Sequence, residues 1–63
     1  MKYSELEKML KQTTNCRFYR NGSRHPIWHN PDTDEFFEMS YHRSKEVAQG
    51  TLKSIIKKSG VKF

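Results

Sequence analysis

Residues 16–30 read Cys16-Arg17-Phe18-Tyr19-Arg20-Asn21-Gly22-Ser23-Arg24-His25-Pro26-Ile27-Trp28-His29-Asn30. Two short runs with aromatic and β-branched residues flank a polar interruption, the pattern of two strands around a turn. The first strand is expected over 16–21. Asn21-Gly22 then supplies a tight primed turn, since both residues tolerate positive φ. The second strand is expected over 26–30, and Pro26, which has no amide hydrogen, belongs at its start or on an edge. Further on, Asn30-Pro31-Asp32-Thr33-Asp34 is turn chemistry again. A third strand follows over 35–40. Strands joined by short hairpins form an antiparallel meander.

Helical patterns lie on either side. Tyr3, Leu6, Met9 and Leu10 recur at helical spacing, so a helix is expected over 3–12. Ser4, with Glu7 three residues on, fits a capping box. Thr13, Thr14 and Asn15 are poor helix formers and end it. Residues 41–49 are polar and mixed, a loop. A closing helix is expected over 50–59, with Leu52, Ile55 and Ile56 as its apolar stripe. Gly60 stands where a left-handed C-cap belongs, and Lys57 and Lys58 suit the negative end of the helix dipole. The expected fold is α+β, in the order α-β-β-β-α. It has a three-stranded antiparallel sheet with two helices packed on one face, forming one domain over residues 1–63.

Each strand carries an adjacent apolar pair: Phe18-Tyr19, Ile27-Trp28 and Phe36-Phe37. Neighbours on a strand point to opposite faces. Two helices cover one face, so the other is left with exposed aromatic surface, and such patches mark binding sites.

Composition narrows the partners. Twelve Lys and Arg against seven Asp and Glu leave a formal charge of +5, which favours a polyanion. Arg17, Arg20 and Arg24 make the first hairpin positive, and Lys53, Lys57, Lys58 and Lys62 do the same near the closing helix. Asp32, Asp34, Glu35 and Glu38 make the second hairpin negative. A membrane surface would also suit the charge, but the chain has no long apolar run or lipidation signal. So small a chain buries only about 60% of its unfolded surface, which disfavours a deep pocket for a small molecule. The single cysteine, Cys16, has no partner for an internal disulfide and reads as a small half-buried strand residue. One thiol and no signal peptide point to the cytoplasm.

Among three histidines, His25 is set apart by its neighbours. It follows the turn in Gly22-Ser23-Arg24-His25, beside the guanidiniums of Arg20 and Arg24. Those cations can hold a phosphodiester, and an imidazole exchanges protons near neutral pH. RNA supplies its own nucleophile, the 2′-hydroxyl, so one proton carrier and cations for the developing charge make a minimal ribonuclease. A histidine on a turn is also commonly a solvated surface residue. His25 and His29 have the spacing of metal ligands. On a strand, however, residues four apart are separated by roughly 13 Å, and no cysteine pair or carboxylate cluster completes a site. No metal and no other cofactor is expected. His42 lies in the loop before the closing helix and is expected to face solvent or a partner.

Taken together, these segments resemble the HicA toxins of bacterial toxin–antitoxin modules. Arg20-Asn21-Gly22-Ser23-Arg24-His25 is similar to that family's Gly-Ser-x-His segment. Pro26-Ile27-Trp28-His29-Asn30-Pro31 is similar to its second strand and turn. Gly50-Thr51-Leu52-Lys53-Ser54-Ile55-Ile56-Lys57-Lys58-Ser59-Gly60 looks like its Gly-Thr-Leu-x-x-Ile-x-Lys-x-x-Gly ending. The resemblance implies a double-stranded-RNA-binding-domain-like fold and a metal-independent endoribonuclease that cuts mRNA and arrests translation. It further implies His25 as catalytic residue and a HicB-like antitoxin as protein partner. Arg20, Gly22, Ser23, Arg24 and Lys53 are the residues expected to meet RNA. Two departures stand out. Many relatives have a glycine and an aromatic where this chain has Thr13-Thr14-Asn15-Cys16-Arg17, and some have histidine where it has Arg24. His25 therefore has no histidine beside it in the turn. The residues alone leave two other readings open: an RNA-binding module without catalysis, and a domain that mainly docks a protein.

Overall fold

A computed structural model describes residues 1–63 and gives the order α1 (Tyr3–Thr13), β1 (Arg17–Asn21), β2 (Pro26–Asn30), β3 (Glu35–Glu38) and α2 (Gln49–Ser59). The strands form one antiparallel sheet in the order β1-β2-β3. This is the α+β architecture that the hairpin signals and helical stripes predict. Pro26 opens the central strand, where its missing amide breaks no ladder inside β2.

Register decides which face each side chain takes. Phe18, Trp28 and Phe37 stand opposite one another across the three strands, and so do Arg17, His29 and Phe36. The Trp28–Phe37 row is the inner one. It packs with Tyr3, Leu6 and Leu10 of α1 and Ile55 of α2, and Cys16, Met39, Val47 and Val61 complete the core. Phe18 shares that row but stays half exposed at the sheet edge. The adjacent apolar pairs thus split as expected, and Tyr19 and Phe36 are left exposed on the open face.

Local details differ from the sequence expectations. Ser4 and Glu7 do not cap α1. The carboxylate of Glu5 accepts from the Lys2 amide at 3.0 Å. The free amides of Tyr3 and Ser4 donate to the carbonyls of Lys45 and Arg43 at 3.1 and 2.9 Å. A helix N-terminus needs acceptors for its unpaired amides, and here the segment before α2 provides two of them. Glu7 turns outward to meet Lys11 and Arg43, each at 3.2 Å. At the other end of α1, the hydroxyls of Thr13 and Thr14 donate to Met9 and Leu10 carbonyls at 2.9 and 2.6 Å, closing the last turn.

Cys16 lies just before β1 and is fully buried rather than half-buried. Its thiol donates to the Ser59 carbonyl at 3.6 Å. Asn30, also buried, sends its amide to the Lys58 carbonyl at 2.9 Å and accepts from the Asp32 amide at 3.0 Å. Two residues from the sheet side therefore satisfy carbonyls that the end of α2 would otherwise leave unpaired. Gly60 closes that helix at φ 73°, as expected. A side chain there has open space but the wrong backbone region, so Gly60→Ala should cost about 1–2 kcal/mol. Urea unfolding followed by circular dichroism should show a lower midpoint at unchanged slope.

Candidate functional site

The link from β1 to β2 is not a two-residue primed turn. β1 ends at Asn21 and β2 begins at Pro26, so Gly22, Ser23, Arg24 and His25 form a four-residue loop. Neither Asn21 nor Gly22 has positive φ. Glycine is required at 22 for a different reason. Its amide donates to the His25 carbonyl at 3.0 Å, and a Cβ at 22 would lie 2.5 Å from that same oxygen. Glycine thus lets the two ends of the loop touch. The Tyr41 hydroxyl donates to the Gly22 carbonyl at 2.7 Å and ties the loop to the segment after β3.

The loop borders a cleft of about 550 Å³. Arg20, Gly22, Ser23, Arg24 and His25 line it, and Ile27 and Glu38 complete it from the neighbouring strands. Five of the residues picked from the sequence therefore share one concave surface. Lys53 does not join them. It is exposed on α2 and borders neither this cleft nor the next.

A second, smaller cleft of about 210 Å³ lies beside the first. His25 and Glu38 border both, and Lys45, Glu46 and Thr51 also line the second. His25 thus stands between a cleft lined by Arg20 and Arg24 and one lined by Lys45 and Glu46. Glu38 is the only carboxylate bordering the first cleft. Its position follows from register: Glu38 pairs with Ile27, the second residue after His25. Sequence reading missed Glu38, Lys45 and Thr51. In the sequence Glu38 reads only as part of the acidic hairpin, and its nearness to His25 depends on strand pairing.

His29 is elsewhere. Its Nε2 is 2.8 Å from Asp34 Oδ1, and its ring lies 4.6 Å from Phe36 on the open face. It does not meet His25 at a shared ligand position. His42 is exposed in the loop before α2.

The chain is thus a small α+β domain with a cationic, histidine-bearing loop at one end of its sheet. Comparison with known families is more specific. The family model described as "HicA toxin of bacterial toxin-antitoxin" matches residues 3–61, and the chain belongs to that family. It is a toxin of that type, whose counterpart in such a module is an antitoxin. Comparison with curated proteins and with solved structures gives no significant match. No helix is long and apolar enough to cross a membrane.

Proposed function

We propose that this toxin is a metal-independent endoribonuclease, and that the clefts on either side of His25 receive the scissile segment of an mRNA. The observation that carries this reading is the shared border. His25 borders two clefts, with the Arg20 and Arg24 guanidiniums in one and the Lys45 ammonium in the other, where Glu46 is already paired with the N-terminal amine. Cleavage of RNA by its own 2′-hydroxyl needs that oxygen to lose a proton while the 5′-oxygen leaving group gains one. The products are a 2′,3′-cyclic phosphate and a free 5′-hydroxyl. His25 moves a proton at the reacting phosphate, and Glu38 offers a second carrier on the same border. Arg20, Arg24 and Lys45 hold the phosphates and spread the charge that builds on the transition state. Ser23 donates to a phosphate oxygen, and Gly22 lets the loop close. Lys53 would meet RNA only beyond the clefts.

Such an activity would act in the cytoplasm on translated mRNA. A HicB-like antitoxin would silence it by covering the His25 loop. The test is incubation of the purified protein with mRNA in excess chelator, followed by analysis of the new ends. Fragments ending in cyclic phosphate are expected, together with protection when one strand position carries a 2′-deoxy sugar at the cut. Intact RNA under these conditions would leave a binding module, and the proposal would be wrong.

A further inference from the structure

We infer that the groove between β3 and α2 holds an unpaired stretch of the RNA strand, with a nucleobase stacked on Phe36. The inference rests on the ribonuclease reading above and adds where the strand runs and in what form. Phe36 is on the open face of the sheet, 43% exposed. Its ring is braced from two sides, with Tyr19 edge-on at 5.0 Å and His29 tilted by 31° at 4.6 Å. His29 is itself held by Asp34 at 2.8 Å. A braced, exposed ring offers a stacking surface at little cost in side-chain freedom.

Phe36 also borders a groove of about 500 Å³. Across that groove α2 presents the hydroxyls of Thr51 and Ser54 and the ammonium of Lys58. Ile27 and Glu38 border both this groove and the His25 cleft, so the two lie side by side. A strand whose phosphate lies at the loop can therefore extend along β3 with one base over Phe36 and a phosphate near Lys58.

The chemistry of this path favours RNA over a protein. Two phenylalanine rings, the hydroxyls of Thr51 and Ser54 and the Lys58 ammonium line it together with Ile27, Ile55 and one carboxylate, Glu38, and the chain as a whole carries +5. Exposed aromatic rings beside cations are how proteins hold splayed bases of single strands. In a duplex the bases are stacked on each other, so no base is free to reach the ring. The substrate class is thus single-stranded RNA.

The probe is a fluorescently labelled 2′-O-methyl oligoribonucleotide, which cannot be cut, with binding read by anisotropy. Phe36→Ala should weaken binding about tenfold, and Phe36→Trp should restore it. The salt dependence should be unchanged by either. Lys58→Gln should instead lower the salt slope by about 0.7, the effect of one lost phosphate contact on a single strand. The same sequence annealed as a duplex should bind at least tenfold more weakly. On an abasic strand, wild type and Phe36→Ala should bind alike.

Wild-type affinity in Phe36→Ala would overturn the inference and leave the open face for a protein. Equal binding of duplex and single strand, or the same tenfold loss on the abasic strand, would overturn it as well. Because the probe is not cleaved, the two readings fail separately. Uncut mRNA with the stacking pattern intact removes the ribonuclease alone. Cut mRNA with no effect at Phe36 removes the base site alone.

Discussion

His25→Ala should lower RNA cleavage by about 10²–10⁴-fold, the usual share of a positioned acid or base. The side chain is exposed and makes no hydrogen bond that the fold depends on, so the variant should melt like wild type. It should also keep most of its affinity for an uncleavable strand, because Arg20, Arg24 and Lys45 are untouched. Single-turnover rates on a short RNA, with binding measured on the 2′-O-methyl analogue, give both quantities. A folded His25→Ala protein that cuts as fast as wild type would remove the assignment.

Gly22→Ala should reduce cleavage by about 10²-fold with His25 still present. The added Cβ would meet the His25 carbonyl at 2.5 Å, so the loop must open or shift. That contact is with backbone, which cannot swing aside like a side chain. Opening the loop also strains the 3.0 Å bond from the Gly22 amide to His25. A displacement near 1 Å at a reacting group typically costs about this much rate. Tyr41→Phe removes the 2.7 Å hydrogen bond to the Gly22 carbonyl without adding bulk. It should act in the same direction but far more weakly, because one hydrogen bond is worth only about 0.5–1.5 kcal/mol. Rates measured for both variants, with circular dichroism to confirm folding, separate loop position from loop stability. A Gly22→Ala protein as active as wild type would mean that the loop geometry does not matter.

The strands and helices could be read from the chain because their signals are local. Alternating apolar pairs, turn residues and a helical stripe ending at Gly60 all act within a few positions. The helix caps were not legible. Ser4 and Glu7 have the right spacing, yet α1 takes its partners from Glu5 and from Arg43 and Lys45, some forty residues away. The full burial of Cys16 is hidden from the sequence for the same reason. Its burial comes from the end of α2, which a strand pattern cannot anticipate. The need for glycine at 22 was recognised, but for the wrong cause: a close backbone approach rather than a left-handed residue.

The candidate site divides along the same line. Arg20, Gly22, Ser23, Arg24 and His25 are nearly consecutive, and a single loop brings them to one cleft. Glu38, Lys45 and Thr51 reach the site through strand register and the docking of α2, so no spacing in the sequence marks them. Lys53, on α2, borders neither of the clefts beside His25. Lys58, on the same helix, borders the groove instead.

The segment after β3 has a consequence for how the toxin loses activity. Tyr41 secures the His25 loop, Arg43 and Lys45 receive the first amides of α1, and Lys45 also borders the smaller cleft. One irregular stretch thus acts as a keystone for the helix, the loop and the site at once. Loosening that stretch as a whole would disturb the first turn of α1, the His25 loop and the smaller cleft together. On gradual heating, the proposed cleavage and the helical signal should therefore disappear in the same narrow interval, one reading serving as a gauge of the other.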